Sequence, residues 1–135
     1  MKGIILASHG KLADGLYDAL KMFSGDIEQI ATLSLKPEAD LKEFIDLLEE
    51  KIKLVDSGDG VTVFVDLLFG TPNNLSGKLL KDELYQEKVD IITGMNLPMV
   101  LEYTNSRTGS PSVDDIMSVG KEGIAYFNEI LKDRQ

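Results

Sequence analysis

Residues 3 to 8 read GIILAS, a continuous apolar run with two isoleucines and no polar alternation. A strand with one wet face alternates apolar and polar residues, whereas an unbroken apolar run marks a strand buried on both faces. Such a strand needs cover on both sides, and the chain supplies it. KLADGLYDALKMFSG follows, with Leu12, Leu16, Leu20 and Phe23 at helical spacing and Gly25 as a stop. IEQIATLSL (27 to 35) reads as a second strand. Pro37 is expected to open a helix carrying Leu41, Phe44, Ile45, Leu48, Ile52 and Val55 on one side. VTVFVDLL (61 to 68) is the most strand-like stretch. FGTPNN breaks it, and a helix is expected from NLSGKLLKDELY. VDIITG (89 to 94) is a fourth strand and LPMVLEYTNSR (97 to 107) a short helix, while Ser112 is placed to cap a helix from Val113.

Strands alternating with helices predict an α/β domain. One three-layer unit over residues 1–135 is expected, with a mostly parallel central sheet and helices on both faces, because parallel strands need crossover connections. A length of 135 residues suits one domain with a sizeable core. The tail, GKEGIAYFNEILKDRQ, is ambiguous: glycines interrupt its helical pattern, and Ile124 and Tyr126 are candidates for an edge strand.

Composition narrows the chemistry. There is no cysteine, so disulfides, thiolate zinc sites and cysteine nucleophiles are excluded, and one histidine excludes a histidine metal cluster. A net charge of −9 repels a phosphate backbone, which argues against a nucleic-acid partner. The N-terminus lacks the apolar core and cleavage site of a signal peptide, and no stretch approaches the ~20 apolar residues of a membrane helix. A cytoplasmic location is expected.

In open α/β sheets, ligands bind beyond the carboxyl ends of the strands, near a switch in strand order. The first strand ends in Ser8-His9-Gly10, the third in Asp66 and FGTPNN, the fourth in Thr93-Gly94-Met95-Asn96. If strands one and three are neighbours, His9 and Asp66 share a crevice. A carboxylate bonded to one imidazole N–H fixes the tautomer and supports positive charge on the ring, leaving the other nitrogen nucleophilic. Thr71 is expected to cap a helix with Pro72 at its first position, whose free N–H groups suit an anion. Gly70 lets the backbone approach closely. Histidine, carboxylate and anion site together suggest phosphoryl transfer through a phosphohistidine.

ILASHG, FVDLLFGTPNN and TGMNLPMVLE, in this order and at these spacings, resemble the IIA component of the mannose-type sugar phosphotransferase system (PTS) over nearly the whole chain. The resemblance implies that His9 is phosphorylated at Nε2 by the phosphocarrier protein HPr and passes the group to a IIB component. It implies that Asp66 bonds Nδ1 and that Thr71, with Gly70, Asn73, Asn74 and nearby backbone amides, binds the phosphoryl group. It implies no metal or organic cofactor, and contact with the membrane IIC and IID subunits only indirectly. KEGI is similar to a segment that the family exchanges between subunits as an antiparallel edge strand, which implies a homodimer. With the chain stopping at Gln135, IIB is expected as a separate protein. Two departures stand out. The family often carries small or polar residues after the aspartate and paired glycines before Ser/Thr-Pro, where this chain has Leu67-Leu68-Phe69 with only Gly70 kept. Asn73 stands where an aromatic can occur.

Three other readings share parts of this pattern. A response-regulator receiver domain needs an acidic pair after strand one, where this chain has Ser8-His9. A flavodoxin-like module wants a hydroxyl-rich phosphate cradle, which SHGKLADG does not offer. The phosphotransfer subunit of a PTS-dependent dihydroxyacetone kinase shares fold and histidine; GTPNN and NLPM favour the sugar-transport branch.

Overall fold

A computed structural model describes residues 1–134. The elements run β1 (Gly3–His9), α1 (Leu12–Ser24), β2 (Ile30–Leu35), α2 (Leu41–Val55), β3 (Val61–Val65), α3 (Thr71–Leu79), α4 (Glu83–Gln86), β4 (Val89–Ile92), α5 (Leu97–Ser106), α6 (Val113–Glu122) and α7 (Phe127–Asp133). The four strands form one parallel sheet in the order β2-β1-β3-β4. The first crossover leads outward from β1 to β2, and the next returns to the far side of β1. The order therefore switches between β1 and β3, and a crevice opens at their carboxyl ends.

The unbroken apolar run of β1 has the predicted cause. Successive side chains of a strand point to opposite faces. Ile5 and Ala7 join a core under α2 and α3 with Phe44, Leu48, Ile52, Val63 and Val65. Ile4 and Leu6 join a second core under α1, α5 and α6 with Leu20, Phe64, Val100, Tyr103 and Ile116. In that second core the Tyr103 ring meets Phe64 edge-on at 5.3 Å, and its hydroxyl shares a 2.7 Å hydrogen bond with Thr62 Oγ1.

Several boundaries differ from expectation. β3 stops at Val65, and Asp66 to Phe69 leave the sheet. α2 begins at Leu41, four residues after Pro37, because Asp40 is its cap: Lys42 and Glu43 donate backbone N–H bonds to the Asp40 carboxylate. On α1, Leu12 and Phe23 fit the spacing but are exposed; Ala13 and Leu20 are the buried anchors. Ser112 caps α6 as expected, accepting from Asp115 N. Within the described residues of the single chain the tail adds no fifth strand. Ile124 and Tyr126 lie between α6 and α7, Phe127 and Asn128 begin α7, and Gln135 falls outside the described residues.

Arg107 closes the opposite end of the sheet. Read from sequence as the last residue of a helix, its side chain is instead buried and donates to the carbonyls of Lys2, Gln29 and Glu28. Burial pushes its guanidinium below its ordinary pKa.

Candidate functional site

His9 ends β1 and Asp66 follows the last residue of β3, so parallel pairing of these strands brings two residues 57 positions apart into contact. Asp66 Oδ2 lies 3.0 Å from His9 Nδ1 and accepts a second bond, at 2.9 Å, from the His9 backbone N–H. A carboxylate only accepts, so Nδ1 carries the proton and Nε2 keeps its lone pair. The His9 side chain is 45% exposed and that of Asp66 10%, so the buried partner orients an accessible ring. Asp66 Oδ1 is buried with no hydrogen-bond partner among the described residues.

Ser8, which sequence reasoning passed over as part of the strand, fixes the turn that follows His9. It is fully buried. Its Oγ donates to the Gly10 carbonyl at 3.2 Å and accepts from Ala13 N at 2.8 Å, so it satisfies a free amide at the start of α1. Gly10 supplies the left-handed φ of 55° that the turn requires, and its N–H donates to Leu35 O across to β2. A lone polar residue at the end of an apolar run was the available signal.

The 66–74 segment forms the other wall. The Leu67 carbonyl accepts from Gly70 N at 3.0 Å, closing a tight turn in which Phe69 takes a φ of 65°. Gly70, not Thr71, is the N-cap of α3; Thr71 and Pro72 are the first two helical residues. A Cβ on Gly70 would lie 2.7 Å from His9 Cε1, so only glycine lets the helix entry approach the ring this closely. Among the described residues the N–H groups of Thr71 and Asn73 have no partner, Pro72 has none to offer, and Asn74 N already donates to Gly70 O. The Asn73 side chain donates to Asn74 Oδ1, and Asn74 Nδ2 donates to the Phe69 carbonyl at 3.0 Å. Asn74 is thus a brace for the turn. Beside the fourth strand, Asn96 caps α5 through Met99 N and ties it to α6 through Gly120 O. Among the described residues no three His, Asp or Glu side chains converge as metal ligands, and no helix is long and apolar enough to cross a membrane.

The arrangement presents a part-exposed imidazole, a mostly buried carboxylate bonded to its Nδ1, and a helix start with free amides and a glycine beside it. The chain is 27% identical to the sorbose-specific EIIA component of Lacticaseibacillus casei, covering 93% of this chain and 91% of that one. It is 26% identical to the mannose-specific EIIAB component of Escherichia coli over 90% of this chain, which spans only 38% of that relative's length. Among solved structures, the PTS IIA protein associated with the fucose utilization operon of Streptococcus pneumoniae superposes with a TM-score of 0.87 at 29% identity, covering 96% of each chain. A model of the EIIA-man family, described as the PTS system fructose IIA component, matches residues 3–119. The chain therefore belongs to the EIIA-man family of IIA components of the sugar phosphotransferase system.

Proposed function

We propose that this chain, acting as a single IIA domain over residues 1–135, is a cytoplasmic phosphocarrier. His9 Nε2 accepts a phosphoryl group from phospho-HPr and passes it to a IIB component during sugar uptake. The observation that carries this reading is the two-point hold of Asp66 Oδ2 on the ring and backbone of His9. In the first step the Nε2 lone pair attacks phosphorus, the bond from phosphorus to the donor atom breaks, and the donor leaves with that electron pair. The Nδ1 proton stays in place and the ring becomes positive. Asp66 then faces a cation, and its buried, unpartnered Oδ1 makes that gain in charge more favourable, because a poorly solvated carboxylate interacts strongly with a nearby positive charge. The free amides of Thr71 and Asn73, with the Thr71 hydroxyl, would bind the phosphoryl oxygens at the helix start, Gly70 clearing the way and Asn73 and Asn74 shaping the rim. The step uses no metal and no organic cofactor.

The relatives' names include mannose, sorbose and fructose systems, which favours sugar transport over a dihydroxyacetone kinase relay. IIC and IID would meet this chain only through IIB. Incubation with phosphoenolpyruvate, the general PTS enzyme and HPr should load His9 with acid-labile phosphate, which candidate IIB proteins then take up. No uptake by wild type would overturn the reading.

A homodimer is also proposed. β4 is an open edge of the sheet, and such edges are commonly paired or covered. Ile124, Tyr126 and Phe127 are exposed, and α7 buries no residue. Exchange of Gly123 to Asn128 as an antiparallel edge strand would bury them, and requires the first residues of α7 to leave their helix. A sedimentation coefficient of a monomer at micromolar concentration would contradict this.

A further inference from the structure

We propose that the exposed turn Leu67-Leu68-Phe69 is the surface on which a protein phosphoryl donor docks; the proposal rests on the reading of His9 as the acceptor. Three large apolar side chains stand here in succession, 58%, 55% and 76% exposed. They lie between two residues that touch the imidazole: Asp66 holds Nδ1, and Gly70 packs under Cε1. Consecutive Cα atoms are only about 3.8 Å apart, so no residue of the turn is more than two such steps from a residue that touches the reacting ring. A protein that brings phosphorus to bonding distance of Nε2 covers roughly 800 Å² of this surface, and the turn falls inside that area.

The backbone supplies an independent argument. Phe69 has a φ of 65°, a region that glycine enters freely and a bulky residue enters at a cost. Two hydrogen bonds hold it there, from Gly70 N to Leu67 O and from Asn74 Nδ2 to Phe69 O. The ring itself stays in water, so packing within the fold does not repay the strain. A strained, exposed aromatic beside a reacting nitrogen is accounted for by a partner that buries it. The occupant is a protein with an apolar face next to its own phosphoryl-bearing group, because a small phosphorylated molecule has nothing to cover the turn.

The test compares two donors. Phosphoramidate delivers phosphoryl to Nε2 and releases ammonia without any docking; phospho-HPr must dock. Phe69→Gly, and Phe69→Asn, which also tolerates the left-handed region, should lower kcat/KM with phospho-HPr about 10- to 100-fold, the equivalent of one aromatic left unburied. Both should label normally with phosphoramidate and melt no lower than wild type. Leu54→Ser, an equally exposed apolar site at the far end of α2, should change neither. Unchanged kcat/KM with phospho-HPr, equal losses with both donors, or a loss confined to onward transfer to IIB would each overturn the proposal. Failure of wild type to label His9 with either donor would overturn the phosphocarrier reading itself.

Discussion

Gly70 stands so close to His9 that a Cβ at this position would lie 2.7 Å from the imidazole Cε1. The φ of −73° and ψ of 168° at Gly70 are ordinary for alanine, so the constraint is steric, set first by the ring and then by Leu67, whose carbonyl oxygen and Cβ would lie 3.2 and 3.3 Å from the added carbon. Gly70→Ala should fold with a near wild-type Tm while pushing the ring away from the helix start. Phosphorylation should slow about 10- to 100-fold, as expected when a reacting group is misplaced by about an ångström. Rapid-quench labelling from phospho-HPr, with the His9 ring followed by NMR, measures both; wild-type speed would show that the close approach has no part in the chemistry.

Asp66 and Thr71 act on different groups. Asp66→Asn keeps the shape but presents an N–H to Nδ1, which favours the wrong tautomer, so phosphorylation should be severely slowed. Thr71→Ala removes one neutral hydrogen bond beside backbone donors that remain, at a cost of roughly 1–3 kcal/mol, or about 5- to 150-fold in rate. Single-turnover rates should place Asp66→Asn well below Thr71→Ala, with both folded. The reverse order would make the anion site the dominant element.

Asp56 carries a pH dependence of stability away from the site. Its carboxylate accepts backbone N–H bonds from Gly58 at 2.8 Å and Gly60 at 3.0 Å, closing the turn before β3. The Gly58 bond is the largest influence; burial opposes it, and the net effect lowers the Asp56 pKa. A depressed carboxyl pKa stabilises the fold above the unfolded value of about 3.9, and that stabilisation is lost as pH falls through the folded value. Asp56→Asn should cost about 1 kcal/mol at pH 7 after allowing for solvent screening. Thermal melts should show the wild-type advantage holding from pH 7 to about 5 and shrinking below about 4; an advantage that grows in acid would contradict this.

The sheet and its two helical layers were legible because a doubly buried strand cannot hide its apolar run, and β1 is buried on both faces from Ile4 to Ala7. The pairing of His9 with Asp66 followed from the adjacency of β1 and β3. What escaped was local. Leu67 and Leu68 continue the apolar pattern of β3, yet both side chains lie in solvent, because the chain has already turned to bring Asp66 against His9. Apolar character marks burial of any kind and does not distinguish a strand from a surface. Arg107 was silent because it satisfies backbone carbonyls brought near by tertiary folding, which no local pattern reports, whereas Ser8, whose partners Gly10 and Ala13 are local, showed only as a polar residue ending an apolar run. Pro37 looked like a helix start, but the capping oxygen belongs to Asp40.

Asp66 is expected to hold the Nδ1 proton so that Nε2 alone receives phosphate. Phosphorus and nitrogen NMR of the chain, labelled at its imidazole and phosphorylated through HPr, tests it most directly. The expected result is a phosphoryl group on His9 Nε2, with Nδ1 still protonated, and no acid-labile phosphate in His9→Ala. Phosphate on Nδ1, or acid-labile label in the alanine variant, would contradict it.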